Sequence, residues 1–413
     1  MTFSDLKVID PILDALDEKD YREPTPIQAQ AIPLVLNRED VLATAQTGTG
    51  KTAAFAIPII QLIQQIDLRK DEKPRLRALI VTPTRELAIQ IDENIAEYSK
   101  YTRIRHSVIF GGVKQGGQVK QLQKGVHILV ATPGRLLDLI NQRHIHLDAL
   151  KMFVLDEADR MLDMGFINDI KKLIKLIPRK RQSLFFSATM PKNIVQLSRE
   201  ILNNPKRVQV DPVSSAAETV EQYVYYTNKR TKKDLLLHLL RKDESIDQVL
   251  LFSRTKHGAD RISRDLKKKN ISAAAIHGDK AQNQRQKVLQ QFKDGKIRVL
   301  VATDIASRGI DIEKLGHVVN YDIPNEPETY VHRIGRCGRA GEEGVALSIC
   351  EPEENMFVRD IEKLLGQKIS VSNDHPFPQT ERPMTAAERK EWNAEKQRRK
   401  QEFHKQRRNK RRR

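Results

Sequence analysis

Two short segments carry residue types that could bind and cleave a nucleoside triphosphate. The first, residues 45–52 (AQTGTGKT), follows the apolar run at residues 40–44. Its glycines allow backbone N–H groups to face phosphates, its lysine can reach the outer phosphates, and its final threonine can ligate Mg²⁺. The second, residues 152–159 (MFVLDEAD), ends another apolar run with carboxylates. One carboxylate can hold the metal ion, largely through water, and the next can orient an attacking water.

These two segments supply the first set of predicted site residues. The predicted nucleotide-binding residues are Ala45, Gln46, Thr47, Gly48, Thr49, Gly50, Lys51 and Thr52. Lys51, Asp156 and Glu157 are predicted to be catalytic, and Thr52 and Asp156 are predicted to hold Mg²⁺. Each segment has a structural alternative: a connecting glycine-rich turn for the first, and a solvent-exposed strand end for the second. Their joint occurrence, each after an apolar run, favours the functional interpretation.

Short apolar runs alternate with helical patterns along most of the chain, which predicts parallel sheets covered by helices. Predicted strands of the first series are 40–45, 78–82, 107–110, 127–131, 152–156 and 183–187. Those of the second series are 220–226, 249–253, 273–276, 298–302, 317–321 and 345–349. The predicted helices include 51–66, 85–98, 134–140, 232–240 and 284–292. The fold prediction is therefore α/β, with two lobes in tandem.

The predicted boundaries are residues 1–210 for the first domain, 211–218 for a linker, 219–373 for the second domain and 374–413 for a disordered basic tail. A chain of 413 residues exceeds one ordinary core, and its 39% hydrophobic and 31% charged residues are typical of a globular protein. No apolar run approaches the roughly 20 residues that cross a bilayer, and no secretory signal is visible. The two cysteines, Cys337 and Cys350, are expected to be reduced thiols of a cytoplasmic protein.

The positive charge of the chain is concentrated at one end. The formal net charge is +18, of which residues 382–413 carry +10 through 14 Lys or Arg and 4 Glu. Such a polycation predicts a polyanionic partner, most simply nucleic acid, and no membrane. A flexible tether for nucleic acid is favoured over a solubilising extension or, in a nucleated cell, an import signal.

Beyond the two opening segments, ordered motifs along residues 1–365 resemble the DEAD-box family of ATP-dependent RNA helicases. Residues 156–159 (DEAD) carry the resemblance together with residues 45–52. Further matches in the family's order are 21–28 (YREPTPIQ), 83–88 (PTRELA), 111–112 (GG), 132–135 (TPGR), 187–189 (SAT), 251–255 (LFSRT), 302–311 (ATDIASRGID) and 332–339 (HRIGRCGR). The compact body with a basic tail is similar to the bacterial RhlE-type subgroup.

The resemblance implies roles for residues outside the opening segments. It implies adenosine contacts from Phe3, Tyr21, Gln28 and Asp311, and arginine fingers at Arg336 and Arg339. It implies coupling between nucleotide and lobe closure through Ser187, Thr189, Asp159, Asp304 and His332. It implies RNA contacts from Pro83, Thr84, Arg85, Gly111, Gly112, Thr132, Pro133, Gly134, Arg135, Arg254, Thr255, Gln282, Arg285 and Thr303. Gln28 also has a simpler interpretation as a polar residue near a helix start, and Phe3 as a core aromatic.

What the resemblance implies for the whole chain is an RNA-stimulated ATPase with two RecA-like domains and with ATP and Mg²⁺ as cofactors. It would clamp RNA between its lobes, bend one strand and unwind short duplexes locally. Its RNA contacts would be largely independent of sequence, and its implied protein partners are ribosome-assembly or RNA-decay proteins. Three alternatives stay open at this point: a DNA helicase, a non-enzymatic RNA clamp or chaperone, and a small-molecule kinase.

Overall fold

The computed structural model describes residues 1–45, 48–66, 73–210, 220–242, 246–307, 315–337, 344–385 and 388, without the side chains of Ile305 and Ser307. Several predicted features lie outside these described residues. They are Gln46, Thr47, Asp311, Arg339, the linker 211–218 and all of the basic tail beyond residue 388.

The residues group by proximity into two compact units. The first unit comprises Met1–Ser215, Ile276–Asp294 and Thr303–Glu313, and the second comprises Ala216–Ala275, Gly295–Ala302 and Lys314–Arg413. The domain limits derived from the sequence stay a prediction.

The first sheet has seven parallel strands in the order β3-β4-β2-β5-β6-β1-β7. Its elements in chain order are α1 (Asp10–Asp17), α2 (Pro26–Leu36), β1 (Val41–Thr44), α3 (Lys51–Gln64), β2 (Ala78–Val81), α4 (Arg85–Tyr98), β3 (His106–Ile109), α5 (Gly116–Gln123), β4 (Ile128–Ala131), α6 (Pro133–Asn141), β5 (Met152–Leu155), α7 (Ala158–Asp163), α8 (Ile167–Leu176), β6 (Gln182–Ser187), α9 (Lys192–Ile201) and β7 (Lys206–Gln209). The central strands are buried on both faces, so their residues are almost continuously apolar. Two hydrophobic clusters pack against the two faces of this sheet.

The second sheet repeats this architecture in the order β10-β11-β9-β12-β13-β8-β14. Its elements are β8 (Val220–Tyr226), α10 (Lys232–Lys242), β9 (Val249–Phe252), α11 (Lys256–Lys267), β10 (Ala273–Ile276), α12 (Gln282–Lys293), β11 (Val299–Ala302), α13 (Asp304–Ser307), β12 (His317–Asn320), α14 (Pro327–Ile334), β13 (Gly344–Cys350), a 3₁₀ turn (Pro352–Glu354), α15 (Asn355–Leu365) and β14 (Ser370–Val371). The prediction of two parallel-sheet α/β domains in tandem is confirmed.

The structure adds features that the sequence patterns did not predict. Strands β7 and β14 lie at one edge of each sheet, and their residues are mostly exposed, so neither forms a continuous apolar run. Residues 374–385, assigned from sequence to the tail, lie against the second unit. Phe377 packs on its hydrophobic cluster, and the Thr380 N–H donates to Asn228 Oδ1 at 3.0 Å.

Two further findings concern the membrane and the cysteines. In the part of the chain that the structure describes, every helix is too short or too polar to cross a bilayer. Cys337 and Cys350 are buried and are not joined in a disulfide.

One buried histidine makes the stability of the first sheet depend on pH. The Arg105 N–H donates to His127 Nδ1 at 3.0 Å, just before β4. Burial, followed by the charges of Arg105 and Arg77, lowers the pKa of His127 from 6.5 to about 4. Protonation therefore favours the unfolded chain, so stability is full above pH 6.5 and is lost as the pH falls toward 4.

When the pH is lowered from 7.5 to 5.5, we expect the unfolding free energy to fall by about 1 kcal/mol more in the wild type than in the His127→Asn variant. Asparagine keeps an acceptor for the Arg105 N–H but cannot be protonated. Urea unfolding at both pH values measures this difference, with His146→Asn at an exposed histidine as the matched control. Equal losses in wild type and His127→Asn would contradict the assignment.

Candidate active site

The parallel order of the first sheet brings three predicted motifs to one edge. Strand β6 pairs with β5 on one side and β1 on the other, with Thr44 opposite Ser187 and Leu155 opposite Phe185. The glycine-rich segment follows β1, the acidic segment (residues 156–159) follows β5, and the SAT segment (residues 187–189) lies at the end of β6. Carboxyl ends of parallel strands form the usual ligand edge of such sheets.

The described part of the glycine-rich segment has the backbone that its sequence requires. Gly48 and Gly50 have φ of +87° and +89°, a region that favours glycine, and α3 begins at Lys51. The Lys51 ammonium is buried and donates to the Ala45 carbonyl at 2.9 Å. The lysine charge thus lies inside the loop, next to the positive end of a helix, where an anion binds favourably.

Gln28 connects the motif at residues 21–28 to the glycine-rich segment. Its Nε2 donates to the Gly50 carbonyl at 3.1 Å and to the Tyr21 hydroxyl, and its Oε1 accepts from the Thr25 N–H at 2.9 Å. A Cβ on Gly50 would lie 2.3 Å from the Gln28 amide, so only glycine permits this approach. Phe3 packs on Tyr21 with ring centroids 5.4 Å apart. The simpler interpretations made from sequence are therefore also true, since Gln28 lies near a helix start and Phe3 is buried.

Asp156 and Glu157 are both 2% exposed, and each has a distinct environment. Burial raises the pKa of Asp156 well above its ordinary value, while the charge of Lys51 opposes that increase. The two Glu157 oxygens accept from Arg160 Nη1 at 2.7 Å each. Glu157 also has φ of +54°, which turns the chain sharply from β5 into α7. Arg160 was not predicted as a site residue, although its spacing of three from Glu157 on a helix was a usable signal.

The predicted coupling residues of the first unit form one hydrogen-bonded group. Asp159 Oδ2 accepts from the Thr189 N–H at 3.0 Å and from its hydroxyl at 3.1 Å. The Asp159 N–H donates to Ser187 Oγ at 3.2 Å, and that hydroxyl donates to the Thr189 carbonyl at 2.8 Å. The acidic segment after β5 is therefore bonded to the end of β6.

A cleft in the first unit gathers many of the predicted RNA contacts. The predicted residues that line it are Pro83, Thr84, Arg85, Gly111, Thr132, Gly134, Arg135 and Arg285. Gly112 has φ of +78°, and a Cβ there would lie 2.3 Å from the Arg85 guanidinium, so the arginine rests on the glycine backbone. Arg135 donates to Gln118 Oε1 and to the Val113 carbonyl, both at 3.0 Å.

Gln282 and Arg285 of α12 belong to the same compact unit and meet the segment at residues 85–86. Gln282 Oε1 accepts from Arg85 Nη1 at 3.2 Å, and its Nε2 donates to Glu86 Oε1 at 2.9 Å. Arg285 Nη2 lies 3.0 Å from the same Glu86 oxygen. Glu86 was not predicted as a site residue, yet its carboxylate contacts the side chains of both Gln282 and Arg285. The RNA contacts of Gln282 and Arg285 stay a prediction.

In the second unit, Arg254 is anchored by an unpredicted acid. Its Nη2 donates to Glu354 Oε1 at 2.6 Å, and its N–H donates to Asp322 Oδ2 at 2.8 Å. Lys232 Nζ lies 2.7 Å from the other oxygen of Glu354, which is 1% exposed. The Arg254 side chain is still 45% exposed, so part of its guanidinium remains accessible to a phosphate. Thr255 caps α11 by accepting from the Gly258 N–H.

The arginine-rich segment at residues 332–339 lies only partly within the described residues. Arg336 is buried, and His332 lies on α14, while Arg339 lies outside the described residues. Arg333, which was not predicted, donates to Asn320 Oδ1 at 3.1 Å and lies over the Phe252 ring. Asp304 begins α13 directly after Thr303.

The donor set at the strand ends suits magnesium better than a metal that needs many protein ligands. The described residues contain no cluster of three or more His, Cys, Asp or Glu side chains able to hold a metal ion. Mg²⁺ usually keeps several waters and takes one or two protein oxygens together with substrate phosphates. The buried Asp156 carboxylate and the Thr52 hydroxyl, which follows Lys51, fit that pattern.

Comparisons with known proteins agree with this geometry. Residues 25–197 match the family described as DEAD/DEAH box helicase, and residues 231–341 match the helicase conserved C-terminal domain. The chain is 44% identical to the ATP-dependent RNA helicase CshA of Limosilactobacillus reuteri over 88% of this chain and 72% of that protein. It is 42% identical to the DEAD-box ATP-dependent RNA helicase CshA of Bacillus subtilis over 89% of this chain and 73% of that protein.

Solved structures give the same result. Dbp5 of S. cerevisiae bound to RNA and ADP BeF3 aligns with a TM-score of 0.79 and 29% identity, over 90% of this chain and 95% of that one. Mss116p bound to ssRNA and AMP-PNP aligns with a TM-score of 0.81 and 29% identity, over 91% of this chain and 80% of that one.

The relatives also correct one prediction. Similarity to the bacterial RhlE-type subgroup is not supported, because the matching relatives are named CshA, which is a different subgroup. A basic tail after a compact body is too general a feature to separate subgroups. At the level of the family the sequence motifs, the fold and the relatives agree, and the chain belongs to the DEAD-box family of ATP-dependent RNA helicases.

Proposed function

We propose that this helicase clamps RNA between its two lobes, bends one strand and locally unwinds short duplexes, with ATP hydrolysis resetting the clamp. The observation that carries the proposal is the bonding of Asp159 to Ser187 and Thr189. These hydrogen bonds connect the acidic segment, which would face the γ-phosphate, to the end of β6. A change at the nucleotide could therefore move the loop that follows β6.

The proposed ATP roles combine the strand-end geometry with the roles that the family resemblance implies. Lys51 and the glycine backbone would bind the phosphates, and Phe3, Tyr21 and Gln28 would bind the adenine. Mg²⁺, held by Asp156 and Thr52 largely through water, would neutralise phosphate charge. Glu157, held by Arg160, would orient the attacking water. Arg336 and Arg339 would stabilise the transferring phosphoryl group, and Asp311 would contact the ribose.

The RNA roles rest on the cleft and on the donors around it. Backbone N–H groups, hydroxyls and arginines grip phosphates without reading bases, so binding would be largely independent of sequence. Contacts to 2′-hydroxyls would distinguish RNA from DNA. RNA-binding relatives support this assignment, since Dbp5 and Mss116p were solved with RNA and a nucleotide analogue.

Composition and the family resemblance support a cellular setting for the proposed function. Two buried reduced thiols fit a cytoplasmic protein. Ribosome-assembly and RNA-decay proteins are the proposed partner classes, and the basic tail would tether RNA near the body.

The choice of polymer tests the proposed function directly. We expect single-stranded RNA to raise the ATP turnover of the purified chain at least about tenfold, and DNA of the same sequence to raise it much less. Phosphate release measures both rates. Equal stimulation by DNA would favour a DNA helicase, and equal rates with and without either polymer would contradict the clamp.

The Glu157→Gln variant tests whether turnover is part of the function. The amide keeps the side-chain shape but orients water poorly, so we expect kcat to fall by about 10² or more while ATP and RNA binding persist. Rapid kinetics and RNA-binding titrations measure the two effects. Glu93→Gln, at an exposed position of α4, is the matched control. Unchanged multiple turnover would remove Glu157 from the chemistry.

The Thr189→Val variant tests the coupling group. Valine keeps the shape and the backbone bond to Asp159 but removes the hydroxyl bond at 3.1 Å. A hydrogen bond to a charged group contributes roughly 1.5 kcal/mol, so we expect about tenfold less duplex unwound per ATP hydrolysed. Unwinding and ATPase assays on the same sample measure the ratio, with Ser198→Ala on α9 as the control. An unchanged ratio would show that this hydroxyl does not couple the two activities.

A further inference from the structure

The amino-terminal edge of the first sheet, opposite to the candidate site, carries a dense positive charge. We name as the basic edge the segments that precede β2 to β6, which are residues 73–77, 101–105, 124–127, 142–151 and 178–181. These segments contain 11 Lys or Arg and a single acid, Asp148. Their formal charge of +10 exceeds the +8 of the whole chain before residue 382. The rest of the body is therefore slightly acidic, and the charge is localised.

Backbone hydrogen bonds join these segments into one continuous row. The His127 N–H donates to the Arg105 carbonyl at 2.7 Å, and the Arg77 N–H donates to the His127 carbonyl at 2.8 Å. The Lys151 N–H donates to the Arg77 carbonyl at 2.8 Å, and the Gln182 N–H donates to the Lys151 carbonyl at 2.9 Å. Five strands at about 4.8 Å spacing make the row roughly 20 Å wide.

The row also contains a concave surface. A cavity is lined by Lys73, Arg75, Arg143, His144, His146 and Asp148, among others. Gly125 has φ of +82°, and a Cβ there would lie 2.6 Å from the Pro74 carbonyl. This close approach holds the segment before β4 against the segment before β2. The one acid of the edge is already paired, since Asp148 Oδ2 lies 2.6 Å from Arg75 Nη2.

We propose that the basic edge binds the phosphates of RNA that flanks the strand held at the carboxyl edge. The proposal rests on RNA being the substrate, as proposed above, and adds a second surface for it. Strand β3 is the outermost strand on one side of the sheet, with Arg103 and Arg105 before it and Gly111 after it. Its four residues span only about 13 Å, so RNA leaving the cleft reaches the edge within a few nucleotides. Arginine and lysine side chains in a row match a regular array of phosphates.

The test compares two RNAs on the full chain. One is a single strand of about 10 nucleotides, which fills one binding site, and the other joins that strand to a duplex of about 20 base pairs. The variant carries Lys73→Gln, Lys124→Gln and Arg143→Gln, three exposed cations of the basic edge. The control carries Lys172→Gln, Lys175→Gln and Lys192→Gln on α8 and α9, with the same loss of charge.

We expect the edge variant to bind the long RNA about tenfold more weakly at 0.1 M salt, with a salt slope shallower by about two. We expect its affinity for the short RNA, and the ATPase stimulation by the short RNA, to match wild type within about twofold. The control variant should bind both RNAs like wild type.

Three results would overturn the inference. The first is an unchanged affinity of the edge variant for the long RNA, which would leave an acidic protein segment as the occupant. The second is an equal loss of affinity for the long and the short RNA. The third is an equal loss of affinity in the control variant. Failure of the proposed function is distinguishable, because then the short RNA would not stimulate the wild-type ATPase.

Discussion

The parallel pairing of β5, β6 and β1 is the constraint on which the candidate site depends. It sets the glycine-rich loop, the acidic segment and the SAT segment side by side at one edge, although the first and the last lie more than 130 residues apart in sequence. The same arrangement buries Asp156 and Glu157, where charge interactions are stronger than in water. A one-residue slip of β5 would turn its side chains to the opposite faces of the sheet and remove the carboxylates from the loop.

Most of the functional side chains are held by partners within the chain. Lys51 donates to its own loop, Arg160 holds Glu157, and Gln28 spans from Tyr21 to Gly50. Glu354 similarly holds Arg254 in the second unit. Such contacts preorganise the groups and reduce the cost of ordering them when ligands bind. Two ligands that favour the same arrangement of these groups would strengthen each other's binding.

The sequence predicted the fold because the buried strands are nearly continuous apolar runs, as in β2, β4 and β5. It did not predict β7 or β14, whose exposed residues lack that pattern. Site residues were predicted from local spacing, whereas Glu86, Glu354 and Arg333 act as partners through contacts that are distant in sequence. Arg160 is different, because it lies three residues from Glu157 and its spacing was a local signal. Glu86 and Gln282 are 196 residues apart in sequence, so no local pattern connects them. The basic edge was not predicted from sequence for the same reason, because its cations lie on five separate segments that come together only in the folded sheet.

The central claim is that ATP and RNA favour the same closed conformation, so that each strengthens the binding of the other. The most direct test is to measure the Kd for RNA with and without a non-hydrolysable ATP analogue, and the Kd for the analogue with and without RNA. The account predicts that both affinities rise by the same factor, about tenfold or more, as linkage requires. An RNA affinity that does not change when the analogue is bound would contradict it.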